Sequence, residues 1–267
     1  LTNDMALTVN NIALGYRKND QTNVILQDVS FDVPEKSLTC ILGPSGIGKS
    51  SLLRVIAGLD KPLAGKITLF DKSITEPQPE VSFVFQSANL LPWLNVQQNV
   101  AFGLDFTCHK RSNKAEISQN VDNAIAEVGL THAINAMPHE LSGGMAQRVN
   151  LARAVARQPK LILMDEPFSA LDPIIRQQMQ LMTREIIDRH HTSVVMITHD
   201  IDEALAIADQ VILLGNRPAN IVGRWDIVSS YPRENLLLLN EIRVDILKTL
   251  QRNENNKKQE QTVEFVI

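Results

Sequence analysis

Gly43-Pro44-Ser45-Gly46-Ile47-Gly48-Lys49-Ser50 has the residue types and spacing of a loop that wraps a phosphate. Glycines let successive backbone N–H groups curl around phosphate oxygens, the lysine adds a point charge, and the closing hydroxyl suits a divalent cation. Two more short runs follow in fixed order, Leu141-Ser142-Gly143-Gly144 and then Leu161-Ile162-Leu163-Met164-Asp165-Glu166. The chemistry implied is hydrolysis of ATP at its γ-phosphate, which demands a cradle, a metal ion, an oriented water and a neutralised transition state.

Each demand has a candidate. Lys49 is expected to touch the β- and γ-phosphates, and Ser50 with Asp165 to hold Mg2+ directly or through water. Because neighbouring residues at a strand end point different ways, Asp165 can face the metal while Glu166 faces the attacking water as general base. His199, just past the apolar run 194–198, falls on the same sheet edge as the loop and Asp165, within reach of a γ-phosphate. Gln86, after the alternating segment 81–85, offers its amide to the metal or its water. The plainer alternatives are a solvated loop glutamine for Gln86 and a polar turn closing a strand for Asp165-Glu166-Pro167. His109, His132, His139, His190 and His191 lack such positional support and read as ordinary surface or core residues.

The elements that must position these groups are legible around them. Residues 38–42, Leu-Thr-Cys-Ile-Leu, suit a buried strand, and Leu52, Val55, Ile56 and Leu59 follow at helical spacing. Gly58 closes that helix, which puts the loop at a helix N-terminus, where amides and the macrodipole favour an anion. Alternating segments in 5–35 and 65–84 predict an antiparallel β layer beside the loop. Residues 87–158 read as an inserted helical lobe, with Val121, Ala124, Ile125 and Val128 on one stripe. From residue 161 the rhythm is strand, helix, strand, helix, strand, with Ile175, Met179, Met182 and Ile186 on the first helix, which builds a parallel sheet. An amphipathic helix is predicted over 234–252, carrying Leu236, Leu239, Ile242, Ile246 and Leu250. Residues 253–267 follow as a polar, flexible tail outside the main domain of residues 1–252.

The bulk figures narrow the class. With 267 residues and 44% hydrophobic content the chain can bury one large core or two modest lobes. A net charge of −4 without a basic block gives no electrostatic footprint for nucleic acid. No run approaches the roughly 18 apolar residues of a membrane helix and no secretory leader opens the sequence, so at a membrane another chain is expected to span it. Cys40 and Cys108 lack metal-ligand spacing and read as reduced, buried thiols of a cytoplasmic protein.

Taken together, residues 43–51, Gln86, Leu141-Ser142-Gly143-Gly144-Met145, Asp165-Glu166, Ser169-Ala170-Leu171-Asp172 and His199 resemble the ATP-binding subunits of ABC transporters. The likeness covers residues 5 to about 225. It implies an α/β fold: a P-loop NTPase core with a mostly parallel sheet, an antiparallel β layer and the helical lobe. It also implies that Gly43, Pro44, Ser45, Gly46, Ile47, Gly48, Lys49, Ser50 and Ser51 cradle ATP. In the family's head-to-tail dimer, formed with a second copy or a paired subunit, Ser142, Gly143 and Gly144 of one protomer cap the phosphate held by the other. Tyr16 stands where the family stacks an aromatic on adenine, its alternative being a strand-end core tyrosine, and Asp172 would link the two sites. Met145 departs from the glutamine common after the two glycines.

Met145 with Gln147-Arg148, the run Leu90-Leu91-Pro92-Trp93-Leu94 with Asn99-Val100, and Asn216-Arg217-Pro218 resemble the importer branch for nitrate, sulfonate, taurine or pyrimidine-type solutes. That implies a peripheral subunit at the cytoplasmic face of the membrane, an integral permease docked near Leu90, Leu91, Trp93 and Leu94, and a solute-binding protein acting indirectly. Burial of 90–94 within the lobe is the competing reading. An ABC-type ATPase in a non-transport mechanical role would call for a coiled-coil insertion or a second cassette, and neither is seen. A non-hydrolysing nucleotide sensor is the third alternative.

Overall fold

Two long strands open the chain, β1 (Met5–Lys18) and β2 (Gln21–Pro34), paired antiparallel from Met5↔Pro34 to Lys18↔Gln21. Their alternation buries Leu7, Val9, Ile12 and Leu14 from one strand and Val29, Phe31 and Val33 from the other. The computed structural model describes residues 4–18, 21–104, 113–228, 231, 233 and 236–264, with 17, 18, 236 and 254–264 as backbone alone; Cys108 and His109 lie outside them. The chain forms two compact units, Leu1–Glu76 with Ile197–Ile267, and Pro77–Met196.

In the first unit β3 (Leu38–Leu42), buried along its whole length, leads through the glycine loop into α1 (Lys49–Ile56). Helix α1 ends in a Schellman arrangement: Gly58 N–H bonds Val55 O at 3.0 Å and Leu59 N–H bonds Arg54 O at 2.9 Å. Leu59 therefore lies past the helix and is half exposed, unlike Leu52, Val55 and Ile56, which complete the buried stripe as expected. β4 (Ala64–Leu69) and β5 (Lys72–Ser73) finish an antiparallel sheet in the order β2-β1-β4-β5.

The second unit begins with β6 (Val81–Val84), which corrects the sequence reading. Rather than joining the antiparallel layer, β6 runs parallel to β7 (Leu161–Asp165), with Val81↔Leu161 through Val84↔Met164. Period-two alternation marks a strand but carries no information on its partner's direction. Between them come α2 (Val96–Ala101), α3 (Lys114–Glu127) and α4 (Gly143–Val155), all inside the stretch read as a helical lobe. Val121, Ala124, Ile125 and Val128 are each at most 2% exposed, the stripe the spacing predicts. After β7 come α5 (Pro173–His190) and β8 (Ser193–Thr198), giving the strand order β8-β7-β6. On α5, Met179 and Ile186 are buried, and Ile175 and Met182 half-buried. His190 Nε2 meets Glu127 at 2.8 Å, the ordinary surface role expected of it.

The chain then returns to the first unit as α6 (Ile201–Ile207), β9 (Gln210–Gly215), β10 (Asn220–Asp226) and α7 (Leu236–Glu264). β9 pairs parallel with β3, from Thr39↔Gln210 to Leu42↔Leu213, while β10 folds back antiparallel on β9. α7 buries Ile246 completely and holds Asp202 of α6 through Arg243 at 2.7 Å. It does not stop at Arg252 but runs to Glu264. Residues 253–264 contain neither Gly nor Pro and are mostly Gln, Glu, Lys and Asn, so no local signal ends the helix there.

Candidate functional site

The phosphate-loop half belongs to the first unit. β3 delivers buried Gly43, and the chain turns through exposed Pro44, Ser45 and Gly46 and buried Ile47 before α1 begins. Gly48 sits at φ 106°, which L side chains rarely adopt, and a Cβ there would stand 2.9 Å from Ile25 Cγ2. It opens α1 without any side-chain cap. Side chains of Asn95, Asn113, Ser142, Asp172 and Asp200 cap α2, α3, α4, α5 and α6 respectively. A helix start that no side chain serves is where an anion gains most from backbone amides and the positive end of the macrodipole.

Lys49 is only 5% exposed, and its ammonium donates to the carbonyls of Gly43 at 2.7 Å and Pro44 at 3.1 Å. The side chain thus doubles back over the loop and concentrates positive charge at the turn. Ser50 is exposed and Ser51 half-buried in the first turn of α1. Cys40 of β3 is a buried free thiol, as expected.

Tyr16 is 61% exposed on β1, so it is not a core tyrosine. It lines a cleft of about 530 Å³ together with Asn23, Ile25, Ile47, Arg217 and Pro218 among others. That volume is in the ordinary range for small-molecule pockets. Arg217 is the residue that sequence reasoning missed here: its run served only as a branch signal, and only the fold shows that it lines the same cleft as Tyr16. His199 is exposed in the turn after β8, where the Asp200 N–H bonds Thr198 Oγ1 at 3.1 Å and the Asp200 carboxylate caps α6.

The acidic half belongs to the second unit. Asp165 is the last residue of β7, and Glu166 follows with φ 43°, a left-handed backbone that L residues adopt at a cost of about 1–2 kcal/mol. Such strain clusters at functional turns. Gln86, exposed after β6, donates from Nε2 to Ser169 Oγ at 3.1 Å, and that hydroxyl donates to the Glu166 carbonyl at 3.0 Å. The two strand-end turns are therefore linked. Gln147 of α4, 4% exposed, reinforces the link by donating to the carbonyls of Phe85 at 3.1 Å and Pro167 at 2.8 Å, and Asn150 donates to Phe85 O at 3.0 Å. Neither Gln147 nor Asn150 carries a signal for this role beyond being polar inside a helix.

Ser142 Oγ accepts the Met145 amide at 3.2 Å, which starts α4, and both Ser142 and Gly143 are exposed. The two glycines differ. A Cβ on Gly144 would stand 2.7 Å from Ile175 Cγ2, whereas one on Gly143 would meet nothing within 4 Å. Gly144 is held small by packing against α5, whereas no packing neighbour among the described residues asks the same of Gly143. In the run 90–94, Trp93 is 69% exposed while Leu90, Leu91 and Leu94 are half-buried, so the ring rather than the leucines dominates its surface.

The donor chemistry fits a nucleotide with a hard cation: an ammonium and a helix start for phosphate, hydroxyl and carboxylate oxygens for Mg2+, and an exposed aromatic beside a cleft for a base. Among the described residues no helix is long and apolar enough to cross a membrane.

A family profile described as ABC transporter matches residues 26–169. The nitrate import ATP-binding protein NrtC of Synechococcus elongatus is 39% identical over 241 residues, covering 88% of this chain but only 36% of NrtC. The aliphatic sulfonates import ATP-binding protein SsuB 1 of Pseudomonas savastanoi pv. phaseolicola is 39% identical over 218 residues, 82% of this chain and 86% of that protein. Among solved structures, the ATP-binding cassette MJ0796, seen as a dimer in a post-hydrolysis state bound to ADP and Pi, matches with a TM-score of 0.73. Its sequence is 27% identical, and the match covers 84% of this chain and all of that one. With a profile over more than half of its residues and a relative matched along most of its own length, the chain belongs to the ABC transporter family.

Proposed function

We propose that this chain is the ATP-hydrolysing subunit of an ABC importer, working at the cytoplasmic face of a membrane against a separate permease. One observation carries the reading: α1 starts without a capping side chain, under a lysine folded back over the loop. That is a cradle built for phosphate. Residues 43–51 hold the phosphates, Tyr16 stacks on the base, and Ser50 with Asp165, assisted by Gln86, holds Mg2+. When bound, the cation neutralises charge on the phosphate oxygens. Glu166 takes the proton of the attacking water, and His199 donates to the γ-phosphate.

The second half of each ATP site comes from another copy, whose Ser142, Gly143 and Gly144 close over the phosphate. The exposed Ser142 and the unfilled space at Gly143 support this, as does the dimer that MJ0796 forms. Trp93 docks the permease. The relatives that import nitrate and aliphatic sulfonates support a small oxyanion as solute, captured by a solute-binding protein and chosen outside this chain.

Cysteines placed at Ser45 and Ser142 test the arrangement. In a Glu166→Gln background with saturating ATP they are expected to crosslink between protomers, while turnover falls by about 10²-fold or more and ATP binding persists. Brisk hydrolysis by Glu166→Gln, or no intermolecular crosslink under those conditions, refutes it.

A further inference from the structure

Asn99, on α2 and 0% exposed, turns its amide group onto one loop. Its Nδ2 donates to the carbonyls of Leu91 at 3.2 Å, Leu94 at 2.8 Å and Asn95 at 3.1 Å, and its Oδ1 accepts the Leu91 amide at 2.8 Å. One amide thus gathers both ends of the turn that exposes Trp93.

The same oxygen accepts from Arg153 Nη2 at 2.9 Å. Arg153 Nε donates to the Asn99 carbonyl at 3.1 Å, and Nη1 reaches the Asn89 carbonyl at 3.4 Å. Burial lowers the Arg153 pKa from its ordinary value, so these oxygens are what hold the guanidinium in place. Arg153 belongs to α4 and lies about 15 Å along its axis from Gly143. Between those ends, Gln147 and Asn150 hold the carbonyl of Phe85, next to Gln86, and Gln147 also holds Pro167, next to Glu166. A single rigid helix therefore touches the Ser142–Gly144 start, both catalytic turns and the Trp93 loop.

We propose that Asn99 and Arg153 are positioning residues through which α4 sets the shape of loop 89–95, so that permease docking follows the state of the nucleotide-contacting end of that helix. This rests on the reading of the loop as the docking surface. The pair touches neither nucleotide nor reacting water; it acts through the loop.

Asn99→Leu keeps the volume but removes every side-chain hydrogen bond, and Arg153→Lys keeps the charge but loses the planar fork whose Nε, Nη1 and Nη2 reach separate acceptors. Both go into the full chain carrying Trp225→Phe, which leaves Trp93 as sole tryptophan. Amide hydrogen exchange over 89–95 is expected to speed up by about fivefold or more, the shift of one net hydrogen bond, and acrylamide quenching of Trp93 to rise. Basal ATP turnover is expected to stay within about twofold of the parent, while stimulation by the co-purified membrane subunit is lost. Unchanged exchange and quenching in both variants overturn the proposal. So does a basal rate that falls as far as the coupled rate, or a loosened loop with full stimulation. Should no membrane protein co-purify with the parent, the docking reading fails, and the exchange data still decide whether the pair shapes the loop.

Discussion

Gln147 Nε2 and the Pro167 carbonyl oxygen lie 2.8 Å apart in a buried hydrogen bond, so α4 grips the backbone immediately after Glu166. The second N–H of the same amide serves Phe85 O, which leaves the side chain no spare donor. Gln147→Leu is expected to take the side-chain donor from Pro167 O while Asn150 still serves Phe85 O, and to destabilise the chain by about 1–3 kcal/mol in urea unfolding. Turnover should fall more than ATP affinity, because the disturbed groups adjoin Gln86 and Glu166 rather than the phosphate loop. A variant as stable as the parent would mean that the Pro167 carbonyl finds another donor.

The two neighbouring glycines give a paired prediction. Gly144→Ala drives a methyl against Ile175 and is expected to cost about 1–3 kcal/mol, relieved by adding Ile175→Ala. Gly143→Ala meets open space and should leave stability within about 0.5 kcal/mol, yet weaken ATP-dependent dimerisation. Thermal melts together with light scattering in ATP separate the two. Equal loss of stability in both variants contradicts the assignment.

Tyr16→Ala should raise the dissociation constant for ATP by about 2- to 10-fold, the worth of one stacked aromatic. At 61% exposure its loss should not lower the melting temperature. Tyr16→Trp keeps a ring and should restore binding; calorimetric titration with ATP reads all three.

Arg54 and Asp60, 2.6 Å apart at the end of α1, set a pH dependence. The hydrogen bond from the guanidinium holds the Asp60 carboxyl below its ordinary value. Its folded pKa lies under the unfolded one of about 3.9, so the pair's contribution is complete above that pH and is lost as pH falls through the folded value. Both side chains are about half exposed, which limits the contribution to roughly 1 kcal/mol or less. Asp60→Asn should therefore lower stability slightly at neutral pH and not at all in strong acid, and high salt should narrow the gap. A difference that persists in acid would point to the N–H geometry of the turn instead.

The phosphate loop, its flanking strand and helix, and the acidic end of β7 were legible because each rests on local chemistry: glycine torsions, a buried apolar run, an apolar stripe. The α3 stripe was legible for the same reason. β6 was assigned to the wrong sheet because its neighbour β7 lies some eighty residues on, and alternation carries no address. Arg217, Gln147 and the Asn99–Arg153 pair were invisible as site-shaping groups. A polar residue in a helix or hairpin looks solvated until the fold shows which carbonyls it faces. The extension of α7 past Arg252 escaped because polarity was read as an end signal, although Gln, Glu and Lys favour helix.

The Leu38 amide bonds Asp209 Oδ2 at 2.8 Å across 171 residues of chain, and β9 flanks β3 in parallel from the same region. During synthesis, at about 5–20 residues per second, the nascent loop waits on the order of 10–30 s for that neighbour to emerge from the ribosome. A ribosome stalled before residues 209–213 therefore holds a phosphate loop whose leading strand still lacks both the Asp209 carboxylate and its β9 neighbour.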